Sequence, residues 1–478
     1  MLSDKLIQLL KSFSKVQLNQ FRKYLISPFF NENQRLIQFF DLIYQSFQTG
    51  KAGEGKINTL EKKAVWKILF QNKPYKDSQM RRLSSDLTRE ARHFLAYSQF
   101  KLDPMTEQIY LLPAVNEPRL TKHFISSVRQ AKDVQRKMGF QNSAFHYNRY
   151  QLEYQCQVHL DEKVAKENNL TNLGQADFHL ECFYIINKLR HYSELVMWKN
   201  VRSFDLELHF FPGFMDYIEQ STYIEIPAIA IQFRIVKLFL EPEQENNFYK
   251  LRALLVKNNA LFQKEELRKM YLTAQNYCAY QINLGNLKYY KELFEIYKTL
   301  IEKEIILSKG EIAAGNYKNI ITVGLMVDEP EWVESFIEKY TDTLPKINQD
   351  NDRNYNLAKV YFHQKRYEQV IEQLREVEYK TLVYVLGGRL MLLKTYYELH
   401  EESALDSLID SFRIYLRRNQ LISRDVRQQY LNVLRFVKKL ATTGRYNKAS
   451  LIKTKQQINQ CKALAAKQWL LEKVEELE

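Results

Sequence analysis

The chain has 478 residues, 45% of them hydrophobic and 26% charged, and its 70 Lys and Arg against 56 Asp and Glu give a formal charge of +14. That apolar content excludes a largely disordered chain and suffices for about three ordinary domains, or for one extended array whose units bury surface only against their neighbours. With 13 Gly and 10 Pro a β-sandwich would be short of turn residues, and the surplus of cations favours weak association with polyanions.

The first region, residues 1–112, reads as helical. Leu2, Leu6, Leu9, Leu10 and Phe13 recur at the three-and-four spacing of an amphipathic helix; the same pattern lacks the unbroken apolar core of a secretion signal. A second helix through Val16, Leu18, Phe21, Tyr24 and Leu25 should stop near Ser27, because Pro28 disfavours helical backbone in the residue before it. Asn31 or Asn33 can cap a third helix through Leu36, Phe39, Phe40, Ile43 and Phe47. Residues 48–58 form a linker rich in Gly and Lys. Within it Gly50, Gly55 and Lys56 match the opening of a phosphate loop, but Ile57 stands where Ser or Thr must hold magnesium.

Helices resume over 60–70 and 78–100, around the turn 72–77. On the second of these, Met80, Leu83, Leu87, Ala91 and Phe94 should face inward, and Arg81, Ser85, Arg89 and Arg92 form an opposite stripe able to contact phosphates. This helix-turn-helix pattern is similar to the DNA-binding half of bacterial activators that join such a domain to tetratricopeptide repeats, and the resemblance implies nucleic acid as an alternative partner. No β-hairpin wing is expected after Phe100. The run Phe21–Asn31 resembles the start of uncharacterised bacterial helical-repeat proteins, a likeness that implies no activity.

Asp103 before Pro104 predicts a capped helix start, and Pro113 and Pro118 bound a break that opens a middle helical region over 113–225. The stretch 176–200 has too many apolar residues for an exposed rod and is expected to pack on more than one side. His179 and His191 flank Cys182, and Glu153, Cys156 and His159 are three apart, but no second ligand pair accompanies them, so they read as core or partly exposed side chains. Cys156, Cys182, Cys278 and Cys461 lie too far apart for a disulfide framework or a zinc site; no metal or other cofactor is expected. The most apolar stretch, 224–240, is broken by Glu225, Pro227, Gln232, Arg234 and Lys237, which leaves no membrane span and makes the cytoplasm the expected location.

Internal repetition marks the last region, 226–478. Val323, Val327, Phe336 and Tyr340 are followed 34 residues later by Leu357, Tyr361, Val370 and Leu374, and 35 residues after those by Leu392, Tyr396, Leu405 and Ile409. That period is one helix, a turn and an antiparallel helix, a unit that must stack on its neighbours to cover its apolar face. The best unit, Asn354–Leu374, resembles a tetratricopeptide repeat in its Leu357-Ala358 pair, Tyr361 and Tyr367. The resemblance implies an all-α chain with an α-solenoid of stacked antiparallel hairpins behind an N-terminal helical region. It also implies a concave face lined by the first helix of each unit, where Tyr355, Asn356, Lys359, Phe362 and His363 stand, then Lys394 and Tyr397. Aromatic side chains there would supply contact area, and the lysines would favour an acidic or carboxylate-ended protein or peptide. Neither a His-Glu-x-x-His motif nor a Gly-x-Ser-x-Gly elbow occurs, so the expected function is a non-enzymatic scaffold.

Overall fold

A computed structural model describes residues 4–49, 61–71, 73–161, 171–201, 213–345, 349–379, 381–442 and 448–477. Most of the expected linker, with Gly50, Gly55 and Lys56, lies outside the described residues. Those that are described form 23 α-helices and no strand. They divide into two units, Met1–His191 and Tyr192–Glu478, whereas the sequence suggested breaks at 112 and 225.

The first unit opens with α1 (Asp4–Lys11), α2 (Lys15–Ile26), α3 (Gln34–Thr49), α4 (Lys62–Phe70) and α5 (Asp77–Leu102). Ser14 and Gln17 close a capping box at the start of α2, satisfying two backbone donors reciprocally, and the helix ends at Ile26, just ahead of Pro28. Asn33 Oδ1 accepts from the Arg35 backbone N–H at 3.1 Å and so caps α3, while Asn31 is buried and donates to Leu25 O at 2.8 Å. α5 buries Met80, Leu83, Leu87, Ala91 and Phe94, the inward stripe its periodicity predicts. The core they join centres on Phe21, whose ring lies 5.0 Å from Phe40, 5.3 Å from Phe94 and 5.9 Å from Phe13. Each such fully buried aromatic contributes roughly 2–3 kcal/mol through removal from water.

Beyond it come α6 (Pro104–Ala114), α7 (Thr121–Met138), α8 (Ser143–Asp161) and α9 (Thr171–Val201). Asp103 caps α6 by accepting from Met105 N at 3.0 Å. The helix carries Pro113 in its last turn, so the break falls after that residue. Met105, Leu112, Phe124, Ala131 and Leu152 form the core of this half. α9 buries Ala176, Cys182, Ile185 and Leu189, of which Ala176 and Ile185 fall on opposite faces, and leaves Leu173 and Leu180 exposed.

The second unit contains α10 (Phe214–Gln220), α11 (Pro227–Leu240), α12 (Glu245–Asn258), α13 (Lys264–Asn283), α14 (Tyr289–Glu302), α15 (Ala314–Met326) and α16 (Pro330–Tyr340). It continues with α17 (Gln349–His363), α18 (Tyr367–Arg375), α19 (Leu382–Glu398), α20 (Glu402–Arg418), α21 (Arg424–Thr442), α22 (Lys448–Gln460) and α23 (Lys467–Leu477). α11, the most apolar stretch, is a core helix that buries Ile229, Ile231, Phe233 and Val236. No helix among the described residues is long and apolar enough to cross a membrane.

From α11 to α21 each helix packs on the next, and the alternate pairs α11 and α13, α15 and α17, and α17 and α19 also touch. Five of the connecting turns close in the same way. Asn286 N donates to Gln281 O, Ile305 N to Leu300 O, Glu329 N to Gly324 O, Arg366 N to Tyr361 O and Glu401 N to Tyr396 O, at 3.0, 2.8, 3.0, 2.8 and 3.0 Å. This is the six-residue closure of a Schellman turn, which requires a left-handed residue just before the donor. Gly285 meets that need freely, whereas Asp328, Lys365 and His400 adopt φ of 62°, 59° and 57° despite their Cβ atoms. Of the positions expected to repeat, Val323, Phe336, Leu357, Val370, Leu374, Leu405 and Ile409 are buried, whereas Val327, Tyr340, Tyr361, Leu392 and Tyr396 are half-buried. A Cβ on Gly324 would strike Val333, and one on Gly387 would strike the Tyr355 hydroxyl.

Candidate partner-binding site

Side-by-side placement of α15, α17 and α19 brings one lysine from each into the same environment. Lys318 Nζ lies over the Tyr384 ring at 5.5 Å, Lys359 over Tyr355 at 4.9 Å, and Lys394 over Phe362 at 5.6 Å and Trp469 at 5.3 Å. The negative face of an aromatic ring attracts an ammonium and recovers part of what it loses on leaving water.

The three lysines differ in how their charge is answered. Lys318 Nζ is 3.5 Å from Asp352 Oδ1, a buried carboxylate that also accepts from the Tyr384 hydroxyl at 2.5 Å. Lys359 donates to Asn356 Oδ1 at 3.2 Å and forms no ion pair among the described residues. Burial pushes its pKa down to about 8, Lys318 adds to the fall, and Asp352 opposes it. Burial likewise lowers Lys394, against the attraction of Glu472 and Glu398, and it too lacks an ion pair among the described residues. Burying a cation without a partner is unfavourable unless a carboxylate arrives.

α23 occupies the space beside the end of α19. Trp469 meets Tyr397 edge-on at 5.4 Å and donates its indole N–H to Glu398 Oε1 at 2.8 Å. Lys473 sits 2.9 Å from Glu398 and 2.7 Å from Glu476.

Of the residues expected to line a binding face, Phe362, Lys359, Lys394 and Tyr397 are half-buried and His363 is exposed, 2.9 Å from Asp328. Tyr355 and Asn356 need correcting. They are 8% and 0% accessible, because α17 has α15 on one side and α19 on the other and both side chains fall into the layer. Their part is to seat Lys359, one beneath it and one bonded to it. The sequence pointed to neither Lys318, Asp352 and Tyr384 nor Trp469. Lys318 is 34 residues before Asp352, so the repeat period itself was the available signal; nothing local marks Trp469.

In the first unit, His146 and His179 face each other with Nδ1 atoms 3.0 Å apart, both buried. Burial lowers each to about 4, with repulsion from His179 acting on His146 and from Arg149 on His179. They form a neutral pair in which one ring donates and the other accepts. The Cys182 thiol is buried and pushed up to about 12, which leaves it inert as a nucleophile. Among the described residues no three His, Cys, Asp or Glu side chains converge as a metal site requires.

The α5 stripe of Arg81, Ser85, Arg89 and Arg92 is exposed. Two of its cations are answered locally, Arg81 by Asp77 at 2.5 Å and Arg89 by Asp86 at 3.0 Å and Glu90 at 3.3 Å. On the flank of the stripe lies an open cleft of about 490 Å³ that takes in Arg35, Lys73, Lys76 and Arg82; no local pattern groups these four. Compared against protein-family models, curated proteins and solved structures, the chain matches none of them.

Proposed function

We propose that this protein is a non-enzymatic scaffold whose second unit is a tetratricopeptide-like stack of helical hairpins, and that it binds an acidic protein segment along Lys318, Lys359 and Lys394. One observation carries the reading: Lys359 and Lys394 are half-buried and lack an ion pair among the described residues, although both acids and water-exposed positions are plentiful in the chain. A carboxylate delivered by a partner would restore the missing charge, and the flanking Phe362 and Tyr397 would add apolar contact. The repeating columns, the shared turn closure and the contacts between alternate helices support the stacked arrangement.

Fluorescence anisotropy with 15-residue peptides matched in apolar content but acidic, neutral or basic tests the reading. The acidic peptide should bind preferentially, and Lys359→Met or Lys394→Met should each weaken it by about tenfold or more, as expected for loss of a charge-assisted contact. Equal binding of the three peptides, or indifference to both substitutions, rejects the acidic-segment reading.

A further inference from the structure

We infer that the cleft between the first turn of α3, the α4–α5 turn and the N-terminal half of α5 binds a compact phosphate ester carrying two or more phosphates. Four cations from three elements, Arg35, Lys73, Lys76 and Arg82, line it. None of the four makes an ion pair among the described residues. The acids nearby are engaged elsewhere: Asp77 with Lys62 at 3.2 Å, with Arg81, and with the Tyr75 hydroxyl at 2.8 Å, and Asp86, the cleft's one carboxylate, with Arg89. These contacts hold the Asp77 carboxyl at about 2, well below the usual range.

Like charges gathered in one concavity repel, and low-dielectric walls focus their field on whatever anion enters. The walls are set in advance. Trp66 is buried, stacks on Phe70 at 3.9 Å and donates its indole N–H to Lys73 O at 2.9 Å, which fixes the turn ahead of Pro74. Arg35 is laid over the Phe70 ring at 5.0 Å. Asn33 and Gln79 add neutral groups able to donate to phosphate oxygens.

The size and charge of the site define the ligand class. A cleft of about 490 Å³ falls in the range of small-molecule sites. Four cations with one already-paired acid call for an anion of three or four charges, which a di- or triphosphate group supplies and a single carboxylate does not. A long nucleic-acid strand is a poorer fit, because outside the cleft Arg81 and Arg89 are neutralised by their own neighbours. The aromatic floor is covered by Arg35, leaving no free ring for a base to stack on.

Isothermal titration of the full chain with inorganic tripolyphosphate, ATP and a 20-base-pair DNA duplex decides the matter. Tripolyphosphate and ATP should bind, more weakly as salt rises, and Lys73→Gln/Arg82→Gln should reduce affinity by at least about tenfold per cation removed. Lys76→Gln serves as an independent second variant. All three residues are exposed, so the thermal melt should not move. Lys122→Gln/Lys137→Gln, an equal change in net charge at exposed positions away from the cleft, should leave affinity unchanged. Binding of ATP but not tripolyphosphate assigns recognition to the nucleoside and overturns the proposal, as do binding of the duplex alone, loss of binding in the control to the same degree, or no binding at low salt.

Discussion

Replacing Lys359 by Met separates the stability of the second unit from the binding proposed for it. Lys359 titrates at about 8 against 10.5 for a free lysine, and at about 1.4 kcal/mol per pH unit the difference amounts to about 3 kcal/mol of stability lost at neutral pH by keeping the ammonium inside. Methionine fills a similar volume without charge. It leaves Asn356 Oδ1 without its donor, a loss of about 1 kcal/mol, so the variant should be more stable by about 1–2 kcal/mol. The pH dependence gives the sharper result. Below pH 8 both folded and unfolded wild-type chains hold the proton and the full difference stands. Between 8 and 10.5 the folded chain releases it first, so wild-type stability gains on the variant and the two converge. Urea midpoints at pH 7, 8.5 and 9.5, with unchanged m values, measure this. A variant no more stable than wild type at pH 7, or a difference that stays constant to pH 9.5, refutes the buried-cation account.

The neutral pair His146–His179 predicts acid sensitivity of the first unit. The unfolded chain takes up protons below about 6.5 and the folded one only near 4, so stability is full above pH 6.5 and is lost as pH falls, at up to about 1.4 kcal/mol per pH unit for each histidine. Urea midpoints of His146→Gln/His179→Gln should fall less steeply from pH 7 to 4.5, and parallel profiles would contradict the assignment. Lys365→Gly and His400→Gly relieve left-handed strain and should each raise stability by roughly 0.5–1 kcal/mol, read as a higher thermal midpoint. Gly387→Ala drives a methyl into the Tyr355 hydroxyl and should destabilise by about 1–3 kcal/mol. Adding Tyr355→Phe should recover much of that, and no recovery would point to another cause.

Helix positions were legible in the sequence wherever one face alone is buried. The stripe from Met80 to Phe94 and the caps at Asn33 and Asp103 rest on local spacing and local hydrogen bonds, which the sequence states directly. Reading failed where a helix has neighbours on two sides. Periodicity places Tyr355 and Asn356 on one face of α17 but does not say that the face is covered. The cation clusters were invisible because their members come from distant parts of the chain. Arg35 reaches the cleft of Lys73 and Arg82, and Trp469 reaches Lys394, by tertiary folding alone.

The turns after α13, α14, α15, α17 and α19 close through main-chain atoms, with a glycine at only one of them. A loop held this way asks little of its side chains, so mutation can pass through it without opening the joint. Ancestral sequence signals would then fade from these corners long before the path of the backbone did.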